Sequence, residues 1–273
     1  MNTTGNAGQT PGKVEIEWPL RLFNKSVLKQ EKFRRLVNYL GSTEGLHCLD
    51  IGSDNGVISL LLRRRGGSWK SADLDSAAVR AIRELVKTDV YQIDGGSTPF
   101  ESGEFDRVVI VDFLEHIPNE AEFVRELSRI LKPDGELVVN VPHIKNSWLR
   151  RFRQAIGQTD EKHGHLRPGY TIQSLSDLLE EHFAIQEHTT YSKFFSEFVD
   201  TLVVLAVSKL KGSSDPSKKG VLVTGDDLSK YQSSFKMYAL IYPLIWFFSK
   251  LDGLLFLNSG YMLIARASAH RTQ

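Results

Sequence analysis

The stretch LHCLDIGSDNGVIS, Leu46 to Ser59, carries an apolar strand-like run directly into a turn with two glycines, Gly52 and Gly56. A strand, a glycine turn and a helix in that order suit a ligand that needs close contact with the main chain. The acidic Asp54 limits which ligand that is. A phosphate-binding P-loop ends in Lys-Ser or Lys-Thr, and neither follows here. A dinucleotide fingerprint reads G-x-G-x-x-G, whereas this turn reads Gly52-x-x-x-Gly56, with Asp54 facing any pyrophosphate. Like charges in contact repel by about 1 kcal/mol in water and by more in a partly dry cleft. A ligand with no phosphate and a cationic centre removes that objection.

Outward from the turn, strands and helices alternate. GVISLLLRRR reads as a helix, SWKSADL as a strand, DSAAVRAIRELV as a helix and DVYQID as a strand, before the turn-rich loop GGSTPFESGEFD. RVVIVDFL is a nearly continuous apolar strand, the pattern of a sheet buried on both faces. NEAEFVRELSRIL is an amphipathic helix ending before a Lys132-Pro133-Asp134-Gly135 turn, and ELVVNVP is the next strand. The expected fold is a Rossmann-like, doubly wound α/β sheet, with its ligand at the carboxyl ends of the strands.

Bulk composition narrows the setting. The chain has 273 residues, 41% hydrophobic and 25% charged, with a net charge of +1. That balance builds a core and offers no overall field to recruit nucleic acid. A single cysteine, Cys48, excludes a disulfide framework and a cysteine metal site within one chain. The polar start MNTTGNAGQTPGK lacks the apolar core of a signal peptide and reads as a disordered tail, so a cytoplasmic setting is expected.

S-adenosylmethionine, adenosine joined to a sulfonium amino acid, is a cationic ligand without phosphate. A carboxylate at the end of the second strand should accept its ribose hydroxyls, and Asp73 stands at about the required ~20 residues, with Asp75 as the alternative. LDIGSDNG, ADLDSAAV, QIDGGSTPFESGEFDRVVIVDFLEHI and RELSRILKPDGELVVNVP together resemble the class I S-adenosylmethionine-dependent methyltransferases, in particular the type 11-like small-molecule group. The resemblance covers roughly Leu46 to Pro142. It implies that Asp50 and Gly52, with Ser53 and Gly56, form the methionine end, and that Asp73 and Leu74 hold the ribose. It further implies Asp94 and Gly95 at the adenine edge and Asp112 at the cofactor rim. Asp54 departs from the glycine usual there.

Methyl transfer depends on positioning, and a hydroxyl acceptor also needs a base near neutral pKa. His116, in the family-like LEHI, follows the fourth strand; His143 follows the fifth; His165 lies in HGHLRPGY, a candidate lid that also contains His163. These three, His116, His143 and His165, are the candidate catalytic residues, and no metal site is expected. Lys145, Trp148, Arg150, Arg151 and Arg153 form a basic-aromatic run suited to a solvated face or to anionic headgroups.

The resemblance implies two closing antiparallel strands, FAIQEHTTYS and GYMLIARA, yet a long segment separates them. The expected organisation is a tail (1–13), a helical segment (14–45), the core (46–192), an apolar helical insertion (193–258) and a last antiparallel strand with its tail (259–273). Charges interrupt both apolar blocks short of the ~20 residues that span a bilayer. Tyr238, Tyr242 and Trp246 recur every four residues, suiting a membrane interface, core packing or a homodimer seam. The sequence thus predicts methyl transfer, at oxygen, to a small-molecule or lipid-linked acceptor. The alternative is a non-catalytic, cofactor-binding scaffold anchored to a membrane or partner.

Overall fold

A seven-stranded sheet with strand order β3-β2-β1-β4-β5-β7-β6 forms the centre of the molecule, as seen in a computed structural model. The structure describes residues 19–145, 147–155, 164–199, 201–202, 242–243, 245–255 and 259–270. The predicted tail and most of the predicted insertion, including Tyr238, lie outside these residues, as does His163.

Helix α1 (Val27–Leu40) starts at Ser26, whose hydroxyl accepts from Lys29 N, and stops at Gly41. Strand β1 (His47–Ile51) lies between β2 (Ser68–Asp73) and β4 (Phe105–Val111), parallel to both. Cys48, Leu49 and Ile51 are fully buried, because a central parallel strand has helices over both faces. Those helices include α2 (Val57–Arg63), α3 (Ser76–Val86), capped by Asp75, and α4 (Glu120–Ile130), capped by Asn119. Strand β3 (Val90–Gln92) extends the sheet beyond β2.

Strand β5 (Leu131–Pro142) runs parallel to β4 and includes the predicted Lys132–Gly135 turn as an excursion. Phe105 pairs with Leu131 and Arg107 with Glu136, so the extra residues loop out before the ladder resumes. Beyond β5 come α5 (Trp148–Ala155), α6 (Ile172–Leu179), β6 (Phe183–Tyr191) and β7 (Met262–Ala269). β7 inserts between β5 and β6, antiparallel to both, giving the expected mostly parallel sheet with an antiparallel last strand. Among the described residues no helix is long and apolar enough to cross a membrane.

Chain direction across the sheet reverses between β1 and β4: β2 and β3 extend one way, β5 the other. The gap above their carboxyl ends is where a doubly wound sheet places its ligand.

Candidate active site

The turn after β1 is shaped by what lies behind it. A Cβ on Gly52 (φ +85°) would stand 2.3 Å from Val111 O, the backbone at the end of β4. On Gly56 (φ +76°) it would stand 2.7 Å from Ile82 Cα in α3. Both glycines are therefore demanded by close crossing of protein segments, a reason different from the direct ligand approach expected from the sequence. Asp50 also departs from expectation. It is fully buried behind the loop, not lining the cavity. Its carboxylate accepts from Ser53 Oγ (2.5 Å), Ser59 Oγ (2.6 Å) and Ser71 Oγ (2.7 Å), with Arg63 Nη1 at 3.5 Å. Asp50 thus ties the turn, α2 and β2 together.

In front of the turn lies a cavity of 420 Å³. Gly52, Ser53, Asp54 and Asn55 line one side, Val111 and Asp112 the end of β4, and Lys29 and Lys32 the α1 side. Lys32 is paired with Asp112. Asp112 takes the left-handed conformation (φ +47°) and accepts at Oδ1 from Asn140 Nδ2 at 2.8 Å. Tyr191 in turn donates to Asn140. A polar relay therefore runs from β6 through β5 to the cavity rim. Acids and lysines together match a zwitterionic amino acid bearing an extra positive charge, so the lining fits the methionine end of S-adenosylmethionine.

At the end of β2, Asp73 is 8% exposed, and burial pushes its carboxyl up to about 6. The backbone N–H of Asp75 donates to it at 3.2 Å. Leu74 and Ile117 flank Gly95, whose Cβ would fall 2.6 Å from Ile117 Cγ2. Asp94 is exposed and accepts from Gly96 N (2.9 Å) and Ser97 N (3.0 Å); these bonds hold its carboxyl below the usual range. Asp94 and Gly95 therefore make a turn after β3 that packs beside Leu74 at the end of β2.

The candidate histidines separate. His116 and His165 meet edge to face, ring centroids 4.8 Å apart. His116 sits in the 3₁₀ turn Leu114–His116 and its Nδ1 lies 3.1 Å from Gly164 O. The chain around His165 is latched to that turn: Leu166 N donates to Glu115 O, and Arg167 donates to Leu114 O, Ile117 O and Pro118 O. His143 instead bonds Gly260 O through Nδ1 at 2.9 Å and stands apart from the pair's hydrogen bonds. Sequence reasoning missed Lys32, Asn140 and Glu115. Asn140 was signalled as a lone polar residue within the apolar run VVNVP, whereas Glu115, between Asp112 and His116 in DFLEHI, carried no such signal.

The methyltransferase-domain family matches residues 49–139. A ubiquinone biosynthesis O-methyltransferase of Pseudomonas aeruginosa is 33% identical over 113 residues, 38% of this chain and 49% of the relative. A demethylmenaquinone methyltransferase of Tropheryma whipplei is 29% identical over 118 residues, 42% of this chain and 49% of the relative. The chain thus spans about half the length of the curated relatives it matches. Geranyl diphosphate C-methyltransferase of Streptomyces coelicolor, solved with S-adenosyl-L-homocysteine, shares the fold. Its TM-score is 0.54 at 13% identity, covering 90% of this chain and 77% of that one. With the motif order, the switch-point cavity and these likenesses in agreement, the chain carries a class I S-adenosylmethionine-dependent methyltransferase domain, whose cofactor is S-adenosylmethionine.

Proposed function

We propose that this chain methylates a small, largely apolar acceptor, the class suggested by relatives named for ubiquinone and demethylmenaquinone methylation, and that it does so at a hydroxyl oxygen, as the name of the ubiquinone biosynthesis O-methyltransferase suggests. The observation that carries the reading is the cavity at the switch point, with its acids and lysines beside Asp73 and, after β4, the turn bearing His116 with His165 of the latched segment against it. Gly52 to Asn55, Asp73 and Asp112 would hold the cofactor, with Leu74 and Gly95 toward the adenine. When bound, S-adenosylmethionine supplies an electrophilic methyl group on a cationic sulfur. Because a carbonyl only accepts, the His116 Nδ1 facing Gly164 O carries the proton, leaving a lone pair on Nε2. That nitrogen would take the acceptor's hydroxyl proton as the oxygen receives the methyl group, the carbon–sulfur bond breaking to leave the neutral thioether S-adenosylhomocysteine.

Calorimetry should show S-adenosylmethionine binding, and incubation of cell extract with labelled cofactor should give a product carrying one added methyl group. No binding ends the reading. Binding without product in any extract favours the scaffold alternative. His116→Ala should lower turnover about a hundredfold with cofactor affinity kept; unchanged turnover removes His116 as base.

A lipid-linked acceptor is favoured by apolar side chains at the surface. Trp148 is 63% exposed and stacks on Phe152, while Trp246, Phe247 and Leu254 are also exposed. Phe194 reaches Trp148 on one side, and the neighbouring Phe195 N bonds Asp252 on the other, joining these segments into one surface. Co-sedimentation with anionic liposomes should weaken in a Trp148→Ser, Phe247→Ser double variant. Equal sedimentation of both proteins removes the lipid contact.

A further inference from the structure

Glu115 is fully buried, and neither carboxylate oxygen has a hydrogen-bond partner among the described residues. Buried carboxylates ordinarily keep partners, because stripping water from one without replacing its bonds is costly. On the same short turn, His116 adds a nitrogen whose lone pair is fixed by the bond between Nδ1 and the Gly164 carbonyl. A second-sphere carbonyl of this kind commonly orients a metal-bound imidazole. His165 comes from the far side of the latch. One ligand atom from each of Glu115, His116 and His165 lies within 4.8 Å of the others.

We propose that Glu115, His116 and His165 form a binding site for a divalent transition cation of the zinc class. Two imidazoles and one carboxylate suit zinc, iron or manganese better than calcium or magnesium, which take mostly oxygen ligands. Metal bonds of about 2.1 Å in a tetrahedron put ligands ~3.4 Å apart, so the three atoms need to close by roughly 1 Å. The backbone latch, Leu166 N to Glu115 O and Arg167 to the Leu114 and Ile117 carbonyls, holds the two segments at the spacing from which side-chain rotation can do this. Three protein ligands leave a coordination position open, the arrangement of a catalytic site rather than a structural one. Asp112, lining the cavity, precedes Glu115 by a single turn.

The inference deepens the oxygen-acceptor reading and rests on it only for what the cation does. Bound there, a cation would lower the pKa of an acceptor hydroxyl so that its proton is released to water, and His116, its Nε2 lone pair committed to the metal, would no longer act as the base. Binding itself is independent of the acceptor and of the cofactor.

The test is therefore made on the full chain without either. Protein stripped with chelator is titrated with zinc, then with manganese, by calorimetry, and metal retained after dialysis is counted by elemental analysis. Wild type should retain one zinc per chain. Glu115→Gln and His165→Ala should each weaken binding by roughly tenfold or more, whereas His188→Ala, on an exposed β6 position, should bind as wild type. Cofactor binding by His165→Ala reports that the fold is intact. No zinc bound by wild type overturns the site, as does equal binding by Glu115→Gln and His165→Ala. Zinc binding without cofactor binding would uphold the site and sink the functional reading instead.

Discussion

The crossing after β1 and the crossing after β4 stand side by side at the switch point, and each contains a carboxylate with no exposed surface. Asp50 is surrounded by three hydroxyls and Arg63; Glu115 has no partner among the described residues. Equal burial therefore conceals opposite functions. The first crossing is a finished structural lock, which fixes the glycine turn whether or not a ligand arrives. The second has polar capacity that the chain's described residues leave unused, next to two imidazoles, and is built to receive something from outside.

The largest effect should come from breaking the lock. Asp50→Ala leaves Arg63 and three buried hydroxyls without their acceptor and should lower stability by about 3 kcal/mol or more, measured by urea denaturation. Glu115→Gln in metal-free protein should cost less than about 1 kcal/mol, because no described bond is lost. Similar losses for both variants would erase the contrast. Gly56→Ala comes next: with Cβ 2.7 Å from Ile82 Cα and φ at +76°, it should cost about 2–3 kcal/mol through strain and overpacking between α2 and α3. Cofactor affinity per folded molecule should survive if Gly56 serves packing alone.

The first crossing was legible in the sequence and the second only in part. β1 to β5 appear as apolar runs because both faces of a parallel sheet are buried, and period and punctuation give their order. The glycines were visible, but their cause was not: Val111 and Ile82, which forbid a Cβ, are distant along the chain. Asp50 read as a ligand because an acid beside a glycine turn gives no sign of three serines converging on it from β2, α2 and the turn. His116 and His165 were each visible, but their meeting depends on Arg167 and Leu166 bonding the carbonyls of another segment, which no periodicity encodes. Lys32 reaches the site from α1, outside the motif set.

Asp73 sharpens the comparison through pH. Its folded pKa of about 6 lies above the ordinary carboxylate value, so the unliganded fold binds the proton more tightly than the unfolded chain. Its contribution destabilises the apo protein as pH rises from about 4 to 6, on the order of 2–3 kcal/mol. Cofactor affinity should move the opposite way, since only the ionised carboxylate accepts both ribose hydroxyls: Kd should weaken as pH falls below 6. Calorimetry across pH 5 to 8 checks the second trend and denaturation of apo protein the first. Asp73→Asn should flatten both curves; a Kd independent of pH in wild type would remove Asp73 from the ribose.

The smallest effect belongs to Asp94. One of its oxygens already accepts two turn N–H groups, and the group is fully exposed, so water replaces it cheaply in the apo protein. Asp94→Ala should therefore leave Tm within a few degrees of wild type. Its remaining oxygen is the part that differs between a turn former and an adenine contact. Asp94→Ser separates the two, because a serine hydroxyl can keep the turn but cannot offer a second acceptor to an exocyclic amine. If Asp94 touches the adenine, the serine variant should keep its Tm and lose several-fold in S-adenosylmethionine affinity, with a smaller loss toward an analogue lacking the amino group. If both ligands bind Asp94→Ser as they bind wild type, the residue only shapes the turn, and the adenine edge must be set by Leu74, Gly95 and Ile117 packing around it.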